Sequence, residues 1–128
     1  GQGGRFLIPK IVGHFKRREP VIELGNTEVF REFGDVRGVA RIYRALLENP
    51  PVGKVLNVCN GTPHALKDVI LICERLTGHS IDVQVNPAFV RKNEVRVLAG
   101  DNAKLRDRIG DLPVPDLEET LAWMLTAD

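Results

Sequence analysis

Apolar residues recur along this chain in two periods, and the places where the period changes mark its elements. Leu7, Ile11 and Phe15 are spaced four apart, which predicts a helix over Phe6 to Arg18. Pro9 fits its first turn, where the missing N–H costs little. Lys16-Arg17-Arg18 complement its C-terminal end, and Pro20 stops it. Val21 to Leu24 reads as a short strand, Gly25-Asn26 as a turn, and Glu28 to Phe33 as a returning strand, so the pair predicts a hairpin. Asp35 caps the most regular helix of the sequence. Its Val36, Val39, Ala40, Tyr43, Leu46 and Leu47 follow the 3.6-residue period and predict one buried face, with Tyr43 in the core. Asn49-Pro50-Pro51 ends it. Lys54 to Cys59 reads as a strand ending at Asn60-Gly61. A helix follows with Leu66, Val69, Ile70, Cys73 and Leu76 on one side and Gly78 after its end. Strands are predicted at Ile81 to Val85 and Val95 to Leu98. Two short helices close the chain around Asn102 to Arg108 and Leu117 to Leu125, the last with Asp116 and Glu119 in a capping box.

The order α-β-β-α-β-α-β-β-α-α makes this an α/β chain, or an α+β-like fragment of one. Lys54–Cys59, flanked by two helices, has the look of a buried parallel strand, yet no β-α-β partner for it is evident. The expectation is that part of its sheet is missing.

Composition changes this picture mainly by exclusion. The 128 residues suit one domain or part of a larger one, and 43% hydrophobic with 27% charged residues is an ordinary globular balance. A net charge of +1 argues against a nucleic-acid surface. No run approaches ~18 apolar residues, and the opening Gly1-Gln2-Gly3-Gly4-Arg5 lacks the apolar stretch of a signal peptide. A cytoplasmic protein without a membrane partner is therefore expected. Cys59 and Cys73 both lie in apolar periodic segments, as two buried, reduced thiols would. Ser80, the single serine, has no strand-turn-helix frame, and His14, His64 and His79 have no metal-ligand spacing. No catalytic constellation assembles from spacing. The N-terminal glycines follow no strand, so a dinucleotide fingerprint fails its structural test.

Arginines beside turns are the remaining chemistry. Arg31 lies in Phe30-Arg31-Glu32-Phe33-Gly34-Asp35, and Arg91 and Glu94 lie in a loop between strands. Guanidinium groups bind phosphate oxygens in bidentate fashion, and a carboxylate accepts two hydrogen bonds from a ribose diol, so together they suit a nucleoside diphosphate. Spacing alone favours the plainer reading, in which Arg31 and Arg91 form surface ion pairs with Glu32, Asp35 or Glu94.

In register along nearly its whole length, the chain resembles the C-terminal half of extended short-chain dehydrogenases/reductases acting on nucleotide sugars. Gly1-Gln2 with Phe6 and Lys10 resembles the end of that family's N-H-x-G-P-G-Q segment and the helix after it. Gly25-Asn26 through Arg31-Glu32-Phe33-Gly34-Asp35-Val36-Arg37 is similar to G-N-L-x-x-x-R-D-F-x-D-V-R-D. Asn57 to Gly61 resembles Y-N-V-x-S-G, and Arg91 to Val95 resembles R-P-x-E-V. Gly100-Asp101 with Lys104-Leu105, Gly110 to Pro113, and Leu117-Glu118-Glu119 are similar to its closing motifs. Lys92 stands in place of the proline, Gly38 of the last aspartate and Asp111 of the tryptophan.

That resemblance implies the C-terminal part of an NAD(P)-binding Rossmann-fold enzyme. It makes residues 1–128 a nucleotide-sugar-binding domain and puts the cofactor-binding domain, with its Tyr-x-x-x-Lys catalytic pair, outside this chain. The chain itself would bind no cofactor, and NADP(H) would belong to the parent enzyme. Residues implied to hold a GDP-sugar are Arg31 and Arg91 at the diphosphate, Glu94 at the ribose, and Lys10 near the nucleotide. The branch most resembled reduces GDP-4-keto-6-deoxy-mannose to GDP-rhamnose-type deoxysugars, with GDP-mannose 4,6-dehydratases and other nucleotide-sugar epimerases next. A homo-oligomer is expected. The reading from a different class is a stand-alone α+β interaction module without catalysis.

Overall fold

The computed structural model describes residues 6–90 and 92–127. Helix α1 (Leu7–Lys16) turns Ile11, Val12 and Phe15 inward, as its spacing predicts. Strand β1 (Val21–Leu24) alternates strictly, with Ile22 and Leu24 buried and Val21 and Glu23 outside. Strand β2 (Phe30–Glu32) leads into α2 (Val36–Glu48), and β3 (Pro63–Ala65) runs straight into α3 (Leu66–Thr77). Strand β4 (Asp82–Val85), a 3₁₀ turn at Pro87–Phe89, β5 (Val97–Leu98), α4 (Ala103–Ile109) and α5 (Leu117–Thr126) follow. Helix α3 closes through Gly78 at φ 61°, the left-handed position that glycine adopts without penalty. Helix α5 starts at the expected box, Asp116 accepting from the Glu119 N–H and Glu119 from that of Asp116.

The core forms where α1, α3 and α5 pack on one another and on the inner face of β1. Phe15, Ile11, Ile22, Leu24, Val69, Cys73 and Leu121 are its fully buried side chains. Burying a side chain of this kind contributes roughly 1.5–3 kcal/mol, so this cluster carries the fold. Burial pushes the Cys73 thiol up to about 11, which leaves it protonated and inert. Cys59, expected to be buried as well, is only partly so.

The expected hairpin does not form. Strand β1 pairs in parallel with β4, Val21 opposite Asp82 through Leu24 opposite Val85. Strand β2 belongs to a separate sheet of order β3-β2-β5, antiparallel to β3 and parallel to β5. Two local features account for this. Asn26 spends its side-chain oxygen on the Glu28 N–H, an Asx turn that leads the chain onward rather than back. Gly25 is needed for packing: a Cβ there would lie 2.7 Å from the Phe89 carbonyl oxygen, so the 3₁₀ turn after β4 packs directly against the residue that follows β1.

Two further expectations are corrected. Lys54–Cys59 forms no strand, because no described strand lies beside it to complete a ladder. Helix α2 buries Gly38 and Ile42, whereas Val36, Tyr43 and Leu47 point outward, so Tyr43 is an exposed side chain and not a core one. Val52 and Val55, after the helix, are also exposed, at 87% each. Large apolar side chains exposed to this degree draw partners in water. The isolated chain is therefore expected to self-associate, and light scattering over a concentration series tests it. A clean 14.2 kDa monomer at high concentration would refute the expectation.

Candidate functional site

The parallel pairing of β2 with β5 determines what Arg31 meets. Phe30 lies opposite Val97 and Arg31 opposite Leu98, which draws the segment before β5 alongside β2. From that segment Val95 presents its carbonyl and Glu94 its carboxylate. Nη1 of Arg31 donates to the Phe30 and Val95 carbonyl oxygens, each at 2.8 Å. Nη2 donates to Glu94 Oε1 at a longer 3.4 Å. Both side chains are mostly shielded, 22% and 17% exposed. Glu94 Oε2 is buried and accepts no hydrogen bond among the described residues. A buried carboxylate oxygen without a donor is costly.

Lys10 makes a different set of contacts. From the middle of α1 its ammonium donates to the Glu23 carbonyl at 2.6 Å and lies 5.1 Å from the centre of the Phe89 ring. Phe89 is half-exposed and stands two residues before Arg91. Arg91 itself lies outside the described residues, as do Gly1 and Gln2. The loop from Pro87 to Val95 thus connects the surroundings of Lys10 with the Arg31–Glu94 pair. Of the two readings left open by spacing, an ion pair of Arg31 with Glu94 exists; Glu32 and Asp35 are engaged elsewhere.

Glu32 escaped the sequence reading as a site residue. Its carboxylate accepts the backbone N–H groups of Asn60 and Gly100, and Asn60 in turn donates from Nδ2 to the Phe33 carbonyl at 2.9 Å. The one available signal is its position next to Arg31 in a short strand, which sends the two side chains to opposite faces. On the Glu32 side, Asn60, Asn102 and Arg106 join Val39, Ile42 and Leu105 around an open cavity of about 430 Å³. Cys59 also borders it. Burial there, with Glu32 and Asp101 nearby, pushes its thiol up, which disfavours a nucleophilic thiolate. Among the described residues no group of three or more His, Cys, Asp or Glu side chains could hold a metal ion, and no helix is long and apolar enough to cross a membrane.

Residues 2–59 match the NAD dependent epimerase/dehydratase family. A crystal structure of an epimerase candidate from Burkholderia cenocepacia superimposes with a TM-score of 0.94 at 46% identity, over 98% of this chain and 41% of that one. The chain belongs to the NAD dependent epimerase/dehydratase family. Two relatives are each 30% identical to this chain. GDP-6-deoxy-D-talose 4-dehydrogenase of Aggregatibacter actinomycetemcomitans aligns over 87% of this chain. GDP-6-deoxy-D-mannose reductase of Pseudomonas aeruginosa aligns over 98%. The chain spans 38% and 43% of their lengths. A structure of RMD from Pseudomonas aeruginosa complexed with NADPH superimposes with a TM-score of 0.89 at 26% identity, over 98% of this chain and 43% of that one. The mixed helices and strands of this epimerase/dehydratase family chain are thus a fragment of a larger Rossmann-type fold.

Proposed function

We infer that this chain is the C-terminal, sugar-nucleotide-binding part of an NADP-dependent oxidoreductase acting on a GDP-4-keto-6-deoxyhexose. The Arg31–Glu94 pair, whose second carboxylate oxygen has no partner among the described residues, carries the reading. A guanidinium beside a carboxylate offers donors to a diphosphate and an acceptor to a ribose hydroxyl at one place. In this reading Arg31 and Arg91 take the diphosphate, Glu94 Oε2 accepts from the ribose, and Lys10 contributes near the nucleotide. The names of the two GDP-sugar relatives support the choice of nucleotide and of redox chemistry.

Among the described residues no glycine-rich turn leads from a strand into a helix, the unit that cradles a dinucleotide. The proposal therefore assigns the cofactor, with the Tyr-x-x-x-Lys pair, to a preceding domain. The outward face of α2 and the segment through Val55 would meet that domain. What this chain contributes is to hold and orient the sugar nucleotide.

Calorimetric titration with GDP, UDP and NADPH tests the assignment. GDP is expected to bind and NADPH to show no micromolar binding. Micromolar NADPH affinity, or the absence of any GDP heat, would overturn it.

A further inference from the structure

Glu32 follows Arg31 in β2, and its carboxylate points away from the Arg31–Glu94 pair. There it fastens two loops at once, taking the Asn60 N–H on Oε1 and the Gly100 N–H on Oε2, the latter at 2.9 Å. Asn102 reinforces the junction by donating to the Cys59 carbonyl at 3.3 Å. The crossing is tight: a Cβ at Gly100 would sit 2.5 Å from Cys59 Sγ and 3.6 Å from Glu32 Oε2. Gly100 ends the segment that begins at Glu94 and includes β5, a strand only two residues long. So short a strand has little ladder of its own; besides its pairing to β2, the Phe30 N–H reaches the Arg96 carbonyl at 2.7 Å. What holds Gly100 against β2 from the far face therefore also fixes where Glu94 meets Arg31 on the near one.

Resting on the reading of Arg31 and Glu94 as a nucleoside-diphosphate site, we propose that Glu32 is a positioning residue for that site. It touches no ligand and sets the separation of Arg31 from Glu94 by anchoring the strand between Glu94 and Gly100. The role requires two acceptors on one side chain. An amide supplies one acceptor and turns an NH₂ group toward the second N–H, where two donors face each other.

The test is GDP titration of the wild-type chain, Glu32→Gln and Glu32→Asp, each checked for cooperative thermal unfolding. Glu32→Gln loses a charge-assisted contact and is expected to weaken GDP binding about tenfold, while Glu32→Asp, with both acceptors kept, recovers most of the affinity. A folded Glu32→Gln that binds GDP as the wild type does, with only a lower Tm, makes Glu32 merely structural and overturns the proposal while leaving the binding site intact. A wild-type chain without GDP affinity removes the site and this inference together. Should Glu32→Gln not fold, amide exchange in the wild type decides. Coupling is reciprocal, so GDP must slow exchange at Gly100 and Asn60 if Glu32 links them to the site. Unchanged exchange at both would refute it.

Discussion

Arg31→Ala should weaken GDP binding about tenfold or more, because a charge-assisted contact to phosphate is worth roughly 1.5–3 kcal/mol. Arg91→Ala is expected to act similarly. Glu94→Ala should cost less, since it removes one acceptor for a neutral hydroxyl. The structure adds a second consequence for Arg31. Its guanidinium is also the partner of Glu94 Oε1, so its removal leaves a mostly shielded carboxylate with neither oxygen hydrogen-bonded among the described residues. Stability should therefore fall together with affinity, and calorimetry beside thermal unfolding separates the two effects. Equal affinity of the wild type and Arg31→Ala/Arg91→Ala would reduce the pair to a structural ion pair.

Asp35 should dominate the acid limb of stability. Its side chain is 1% exposed and accepts hydrogen bonds from Arg37 Nη2 at 2.6 Å, the Arg37 backbone N–H at 2.7 Å and Thr120 Oγ1 at 2.8 Å. It thereby caps α2 and ties it to α5, while the Arg37 guanidinium lies 4.2 Å from the centre of the Trp123 ring. The bonds from Arg37, aided by Thr120, outweigh burial and hold the Asp35 carboxyl well below the usual carboxylate range. A group depressed in the folded state contributes stability above its unfolded pKa, about 3.9 for aspartate, and loses it as pH falls toward the folded value. Asp35→Asn should thus cost about 1–3 kcal/mol at pH 7. The gap to the wild type should narrow as pH drops below about 4. Urea unfolding at neutral and acid pH measures this; a gap constant with pH would show that charge on Asp35 does not matter.

Periodicity sufficed where an element covers itself or is covered by its sequence neighbours. Helix α3 and strands β1 and β4 lie within a residue of their predicted bounds, and the Asp116–Glu119 box starts α5 as read. It failed where the partner had to be named. The Gly25-Asn26 signal marks a change of direction and is silent on whether β1 pairs with β2 or with β4. On α2 the 3.6-residue pattern identifies an apolar face, but a pattern does not say what covers it, and Val36, Tyr43 and Leu47 remain uncovered. The site divides the same way. Arg31 and Glu94 carry recognisable chemistry, and the fold brings them into contact. Glu32 acts through backbone amides 28 and 68 residues away, and no spacing rule connects a carboxylate to those.

Strand β2 is three residues long, yet it presents a guanidinium to one side and a carboxylate to the other. Its neighbours β3 and β5 hold it at fixed registers. Inserting or deleting a single residue inside it would exchange the two faces. The near side would then offer a phosphate negative charge, and the far side would present a cation to two amide donors. Length variation between relatives should for that reason be found in the loop from Gly25 to Val29 and not in the strand it feeds.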